Sequence, residues 1–183
     1  IGTSLEVQKN EGLERMSAPV LGTIGSELHL SELPKCYQID FAALTNVGTD
    51  LRVNQVDGIT NLIFNVLVNI PGDVQIQNMG GLKIVNLSLV ETIGGSLILD
   101  SNSELTTLHL DGLKVVGGTL RVMSSAKVLS LDLGVLETVG ATAPTMTGGS
   151  FKLQGLTALN SLNVGALEVV RGSIHLSDLS FIE

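Results

Sequence analysis

Tryptophan is absent from this chain of 183 residues, aromatic side chains of every kind make up only 3% of it, and charged side chains make up 15%. A single cysteine, Cys36, excludes a disulfide framework and a zinc site built on several thiolates. No apolar run approaches the roughly 18–20 residues that a helix needs to cross a bilayer. A net charge of −8 with scattered lysines and arginines argues against nucleic acid as a partner.

Aliphatic residues and glycine are abundant instead. The chain contains 31 leucines, 19 valines and 12 isoleucines beside 21 glycines. This is far too much apolar side chain for a disordered protein. We therefore expect a folded chain whose interior is filled almost entirely by aliphatic side chains.

The sequence repeats itself with a period of 23 residues, which is typical of a solenoid. Residues 24–28, 47–51 and 93–97 occupy the same register, and an insertion at 139–146 interrupts the repeat once and should leave the coil as a loop. We predict one solenoid domain over residues 1–183, with seven full coils and a partial one. It should be part of a longer chain, because it has no initiating Met and stops partway through a coil. The predicted coils begin at residues 1, 24, 47, 70, 93, 116, 147 and 170.

Aligned coils form columns, numbered here by position within the 23-residue coil. Positions five and seven are apolar in every coil, while position six is mostly polar, and this alternation indicates a half-buried strand. A second alternation follows at positions sixteen to eighteen. The position-five column reads Leu5, Leu28, Leu51, Val74, Leu97, Leu120, Phe151 and Ile174.

Glycine falls at position two or three of the predicted coils, as at Gly48 and Gly94. Glycine at this place permits either a positive φ or a close approach of two backbones at a corner. These glycines would break a helix, and no window of 11 residues keeps a helical period. The sequence therefore predicts an all-β parallel solenoid in which strands and corners alternate.

The clearest coil pattern, LTTLHLDGLKVVGGTLRV over residues 105–122, resembles the receptor L-domain superfamily. Those are the right-handed β-helices of the insulin-receptor and epidermal-growth-factor-receptor ectodomains. The pattern is still more similar to fungal cell-wall proteins that carry L-domain-like repeats behind a glycolipid anchor. The resemblance implies a right-handed parallel β-helix. This chain departs from the animal receptors in having Cys36 alone, and we expect that thiol to be a buried small hydrophobe.

Three functions follow from the resemblance and the coil pattern. The first is a non-catalytic structural or adhesive protein, extracellular or at the cell surface. The second is a receptor-type ectodomain that recognises a protein or a glycan on an outward sheet face. The third is a subunit of an end-to-end stacked filament, because no polar cap is visible at either end.

The candidate binding face consists of outward positions six and eight of the first strand. A cationic stripe there suits an acidic partner or an anionic sugar, whereas the alternative is a solvated strand face that avoids aggregation. His29 and His175 lie six coils apart in this stripe, about 29 Å at one strand spacing per coil, so they cannot share a metal. The candidate residues are Arg52, Asn54, Arg121, Met123 and Lys152.

Catalytic, metal and cofactor sites are not predicted. His109 and Asp132 adjoin in the position-seventeen column and are the only pair that resembles an acid–base couple, but no serine or cysteine nucleophile stands beside them in that column. Carboxylates never gather into a repeated calcium loop. The sequence Asn86-Leu87-Ser88 is a glycosylation sequon, and the register places Asn86 outward, which fits an extracellular address.

Overall fold

The computed structural model describes residues 3–140 and 149–180 of the chain, and these residues form strands, turns and no helix. The strands are two to four residues long and all pair in parallel. They are β1 (Leu5–Gln8), β2 (Arg15–Ser17), β3 (Thr23–Ile24), β4 (Leu28–Ser31), β5 (Gln38–Asp40), β6 (Asn46–Val47), β7 (Leu51–Asn54), β8 (Asn61–Ile63), β9 (Asn69–Ile70), β10 (Val74–Gln77), β11 (Ile84–Asn86), β12 (Thr92–Ile93), β13 (Leu97–Asp100), β14 (Thr107–His109), β15 (Val115–Val116), β16 (Leu120–Met123), β17 (Ser130–Asp132), β18 (Thr138–Val139), β19 (Phe151–Gln154), β20 (Ser161–Asn163), β21 (Val169–Val170) and β22 (Ile174–Ser177).

Each coil contributes three strands, and equivalent strands of successive coils lie side by side. The four-residue strands form one sheet of eight in the order β1-β4-β7-β10-β13-β16-β19-β22, called the broad sheet below. The three-residue and two-residue strands form smaller sheets on the other sides of the coil. The fold is therefore an all-β parallel solenoid of about seven turns, as the repeat predicts.

The two-residue strands are an element that the sequence pattern did not reveal. Val115 pairs with Thr92 on one side and with Thr138 on the other, so the third strand spans positions twenty-three and one. Two residues are too few to show a period-2 alternation. Each coil consequently has three sides where the alternation alone indicated two.

The interior is a continuous aliphatic core that runs through the stacked coils. Position five supplies Leu51 and Leu97, and position seven supplies Val53 and Leu99, all with no exposed surface. Burying a side chain of this size contributes about 1.5–3 kcal/mol relative to leaving it in water. Cys36 also lies inside with no exposed surface, as predicted.

One buried polar side chain of the core is hydrogen-bonded between coils. Asn102 is fully buried, and its Nδ2 donates to the carbonyl oxygen of Ile76 at 2.9 Å while its Oδ1 accepts from the backbone N–H of Met79 at 3.2 Å. A buried amide without such partners would cost a few kcal/mol. Asn102 thus links its coil to the coil before it.

A ladder of polar side chains at position four also ties neighbouring coils together. Asp50 Oδ1 accepts from the backbone N–H of Asp73 at 2.6 Å, and Asp73 Oδ1 accepts from the N–H of Ser96 at 2.7 Å. Ser96 Oγ continues the ladder by accepting from the N–H of Thr119 at 3.1 Å. These side chains act as backbone partners just before each strand of the broad sheet.

The corner after each strand of the broad sheet uses left-handed backbone, and it lies at position nine rather than at the glycine positions. Seven of these residues are not glycine, and their φ values lie between 51° and 57°. The eighth is Gly155, at 67°. The seven are Lys9, Glu32, Gln55, Asn78, Ser101, Ser124 and Asp178.

The glycines at positions two and three allow two backbones to approach closely, and at most of these positions φ is not positive. A Cβ on Gly48 would overlap the carbonyl group of Gly25 in the coil before, and a Cβ on Gly94 would overlap the carbonyl oxygen of Pro71. Among the described glycines of this corner, only Gly140 and Gly149 have positive φ, and they flank residues 141–148.

The predicted insertion at 139–146 is wrong at its start by two residues. Val139 pairs with Val116 and with Val170 in the third-strand ladder, so Val139 and Gly140 still belong to the solenoid. Val139 is therefore the first residue of the seventh coil, in the place predicted for residue 147. The remainder of the predicted insertion and residue 147 itself lie outside the described residues.

Candidate functional site

The five candidate binding residues all lie on the broad sheet. Arg52 and Asn54 belong to β7, Arg121 and Met123 to β16, and Lys152 to β19. Their neighbours at positions five and seven are buried, and the candidates themselves are half-buried, as expected for outward residues of a one-sided sheet. The predicted orientation of this face is confirmed by these burial patterns.

The candidates form two groups rather than one site. Arg121 is the register neighbour of Lys152, and Met123 is the register neighbour of Gln154. Arg52 lies three strands from Arg121, since β10 and β13 stand between them. Three strand spacings amount to about 14 Å, too far for both guanidinium groups to contact one small anion.

Arg52 is neutralised by carboxylates of its own molecule. Its Nη1 lies 2.6 Å from Glu27 Oε2, and its Nη2 lies 2.7 Å from Asp50 Oδ2. The two acids come from successive coils at position four, so the guanidinium spans both. Asp50 also belongs to the position-four ladder, which means that this cation is part of the intercoil hydrogen bonding.

Arg121 is bound in a similar way, whereas Lys152 is not. Arg121 Nη2 lies 3.0 Å from Asp100 Oδ2 on the preceding coil, and its Nε is buried with no hydrogen-bond partner among the described residues. Within residues 3–140 and 149–180, no acidic side chain lies within ion-pair distance of Lys152. The cationic stripe therefore offers one uncompensated charge from these three residues.

A shallow depression of about 320 Å3 surrounds the first candidate group and is rich in amide side chains. Asn78 Nδ2 donates to Asn54 Oδ1 at 2.9 Å across one of its edges. The sequence analysis did not identify Gln75, Gln77 and Asn78 as lining residues. They occupy positions six, eight and nine of a single coil. The lining residues are His29, Arg52, Val53, Asn54, Gln75, Gln77 and Asn78.

His109 and Asp132 line a second shallow groove, of about 340 Å3, on another side of the coil. Ser130 lies in the same groove, two residues before Asp132 and outside the column in which a nucleophile was sought. Asp132 Oδ1 accepts from the N–H of Gly134 at 2.9 Å and from Asn163 Nδ2 at 2.9 Å. His109 Nδ1 lies 3.9 Å from Asp111 Oδ1, a distance beyond a hydrogen bond.

The position-seventeen column has a structural role that explains its Asp and Asn residues. Asp40, Asn86, Asp132 and Asn163 each accept, through Oδ1, the backbone N–H two residues later, at 2.9 to 3.1 Å. Such a side-chain bond closes a turn where the chain leaves the second strand. In Asn86 this leaves Nδ2, the atom that glycosylation would modify, outside the turn bond.

Cys36 is placed for packing rather than for chemistry. Burial raises the pKa of its thiol, and the Sγ–H donates to the carbonyl oxygen of Gln38 at 3.5 Å, a bond that only the protonated thiol can make. A thiol that is buried and protonated is a poor nucleophile.

The described part of the chain contains no group of three His, Cys, Asp or Glu residues that could hold a metal ion. It also contains no helix long and apolar enough to cross a membrane. No protein-family model, no curated protein and no solved structure matches this chain.

Proposed function

We propose that this protein is a non-catalytic structural or adhesive rod that acts outside the cell or at its surface. The observation that carries the proposal is the state of the broad sheet's outward face. Both arginines of the candidate face are bound to carboxylates of the same molecule, at 2.6 to 3.0 Å. Since Glu27 and Asp100 each lie on the coil before that of their arginine, these charges link neighbouring coils and are already occupied by partners within the molecule.

The polar side chains elsewhere support the same proposal. Asp50 and Asp73 accept backbone N–H groups of the next coil, and Asp132 closes a turn. Asn102 is satisfied inside the core. These four side chains, which are of types that carry catalysis or ligand binding in other proteins, have backbone partners here, and this favours a scaffold.

Membership of the receptor L-domain-like superfamily, with a right-handed coil, belongs to this proposal. Its support is the coil pattern of residues 105–122 together with the parallel three-sided solenoid. The extracellular address is supported by the sequon at Asn86, a half-buried residue at the end of β11. Expression through a secretory pathway should give a glycosidase-sensitive mass shift that Ser88→Ala abolishes, because this change removes the sequon but keeps the backbone N–H bonded to Asn86.

The binding test compares the double variant Arg52→Ala/Arg121→Ala with the wild type on a glycan array and on insoluble cell-wall polysaccharide. We expect any binding to be unchanged and the melting temperature to fall, since even an exposed ion pair contributes about 0.2–1 kcal/mol and the pairs of Arg52 and Arg121 are half-buried. The matched control is Lys114→Ala/Lys127→Ala, which removes two exposed ion pairs of 3.0 and 2.7 Å from other columns. Binding that the arginine variant loses and the lysine variant keeps would contradict the scaffold proposal.

A receptor that recognises a glycan is the second candidate, and the amide-rich depression at Asn54, Gln75, Gln77 and Asn78 favours it. Amide groups donate and accept at once, which suits the hydroxyl groups of a sugar. The same array distinguishes this function, because Gln75→Ala/Gln77→Ala should then abolish binding without a large change in melting temperature. End-to-end stacking into filaments stays a prediction.

A further inference from the structure

Position twenty of the coil is apolar in all seven coils and lies on the surface. We call this column the position-twenty stripe. Its members are Val20, Ala43, Val66, Leu89, Gly112, Val135 and Ala166. None of them is buried, and the four large ones include Val20 at 90% exposure and Leu89 at 50%.

The stripe is exposed because the chain turns sharply beneath it. Within a coil, the N–H at position twenty-one donates to the carbonyl oxygen at position eighteen, as Val90 does to Leu87 at 2.9 Å. Positions eighteen and twenty-one point inward, as the buried Leu87 and Val90 show, so the turn lifts position twenty out of the coil. No further folding of the same coil can cover these side chains, and contiguous exposed apolar surface marks an interaction site.

The order of side chains in the stripe is self-complementary when one copy is reversed. When two copies of the stripe are aligned in opposite directions, six of the seven coils place a large side chain opposite a small one. At the central coil Leu89 of one copy lies opposite Leu89 of the other. A parallel arrangement in register would oppose valine to valine and leave gaps at Ala43 and Gly112. The reversed pairs are Val20 with Ala166, Ala43 with Val135, Val66 with Gly112, and Leu89 with Leu89.

We propose that the position-twenty stripe is the contact surface of a symmetric, antiparallel dimer of this chain, with its two-fold axis at Leu89. A two-fold interface must bring the same patch of both subunits together, and the large-to-small order meets that condition. Side chains of unequal size interdigitate at near-crystalline packing density, whereas two valines at the same level would hold the rods apart.

The area of the contact suits a weak dimer. Seven coils at about 4.8 Å each span about 34 Å, and positions eighteen to twenty-two span about 10 Å, because the ends of the turn that they contain lie less than about 7 Å apart. The product is about 340 Å2 per copy, or about 680 Å2 in total, which is the size of a weak and transient contact. Val68, at 39% exposure, widens the apolar patch next to Val66 near the axis.

The charges beside the centre of the stripe are compatible with this arrangement. At position twenty-two, Lys114 Nζ lies 3.0 Å from Glu91 Oε2 within one chain. In the antiparallel dimer the Glu91 side chains of the two copies lie next to the axis. The Lys114 side chain of each copy lies one coil from the axis. Two lysines therefore flank the two glutamates, and the repulsion at the axis is compensated.

Sedimentation equilibrium from about 1 to 500 μM tests the dimer. We expect the wild type to dimerise with a dissociation constant in the micromolar range and Leu89→Arg to weaken dimerisation at least tenfold, because it sets two like charges on the axis. Leu129→Arg is the matched control, since Leu129 has 53% exposure but lies at position fourteen. It should dimerise like the wild type. A monomeric wild type, or any oligomer that survives Leu89→Arg, overturns the proposal.

Disulfide trapping tests the orientation, and it also decides the matter if Leu89→Arg were to misfold. Under oxidation, Val20→Cys mixed with Ala166→Cys should give a crosslinked heterodimer. Val20→Cys alone should give none, since the two copies of that residue lie about 29 Å apart in the antiparallel dimer. The buried Cys36 does not take part. Crosslinking of Val20→Cys with itself would show that the rods are parallel. If neither experiment gives a crosslink, the proposed dimer is wrong.

Discussion

At the scale of single residues, the most demanding positions are those at the corner after each broad-sheet strand. Seven side chains other than glycine adopt φ between 51° and 57° there. This backbone costs an L-residue roughly 1–2 kcal/mol, and the cost recurs once per coil. The residues that accept it are all polar, because the corner faces solvent. The sequence shows this polarity but not the dihedral angle.

Ser124 allows the cost of this corner to be measured. Its φ is 51°, its side chain is exposed, and its backbone N–H donates to Gln154 at 2.9 Å. Ser124→Val should lower the free energy of unfolding by about 1–2 kcal/mol, because a β-branched side chain is a true outlier in this region. Ser124→Gly should be neutral or slightly stabilising. Urea denaturation measures both, and equal stability of the two variants would contradict the assigned corner.

At the scale of elements, no strand is long enough to be stable by itself. The strands have two, three or four residues, and each gains its stability from the equivalent strands of the coils above and below. Their close stacking depends on corners where the backbones touch. Gly48 is such a corner, because its α-carbon lies against the carbonyl group of Gly25.

Gly48→Ala should therefore separate two coils, whereas Gly22→Ala should not. A Cβ on Gly48 would collide with backbone atoms that cannot rotate away, while a Cβ on Gly22 would meet the carbonyl oxygen of Ala43 at an ordinary 3.7 Å. We expect Gly48→Ala to destabilise the fold by at least 1–3 kcal/mol, the usual cost of overpacking. The thermal melting curves of the two variants measure the difference, and equal losses would contradict the proposed packing.

At the scale of the whole molecule, the coils share one core and depend on their neighbours. Stability in such an array is roughly a sum of coil terms and nearest-neighbour terms. A single coil that cannot close its interior removes two interfaces, one above and one below. For this reason a defect at one level should act on the whole rod.

Leu110→Asp places a charge in the middle of that core and should unfold the rod. Leu110 has 1% exposure, and burying an unpaired carboxylate costs several kcal/mol, a large part of the 5–15 kcal/mol that a domain has. Leu129→Asp introduces the same charge at 53% exposure and should melt close to the wild type. Circular dichroism follows both. A Leu110→Asp variant that retained the wild-type melting curve would show that the inward columns are wrong.

The candidate face shows where reasoning from columns stops. The columns correctly placed Arg52 and Arg121 outward on one sheet, because alternation in a strand depends only on sequence spacing. They did not reveal that Glu27, Asp50 and Asp100 neutralise these arginines, since the rotamers and the exact stacking decide which charges meet. The position-twenty stripe is an apolar column, and an apolar column by itself predicts inward side chains. Leu89 is exposed instead, because a turn in the chain directs position twenty towards solvent.

The sequence by itself determined the period of 23 residues, the first and second strands, and the identity of the core. Each of these depends on whether a single side chain can leave water, and that property belongs to the residue. Only the tertiary structure decided the third strand, the left-handed corner, the place of Val139 within the solenoid and the partners of the charges. These features depend on how closely one coil approaches the next, and that distance is a property of two stacked segments rather than of either one alone.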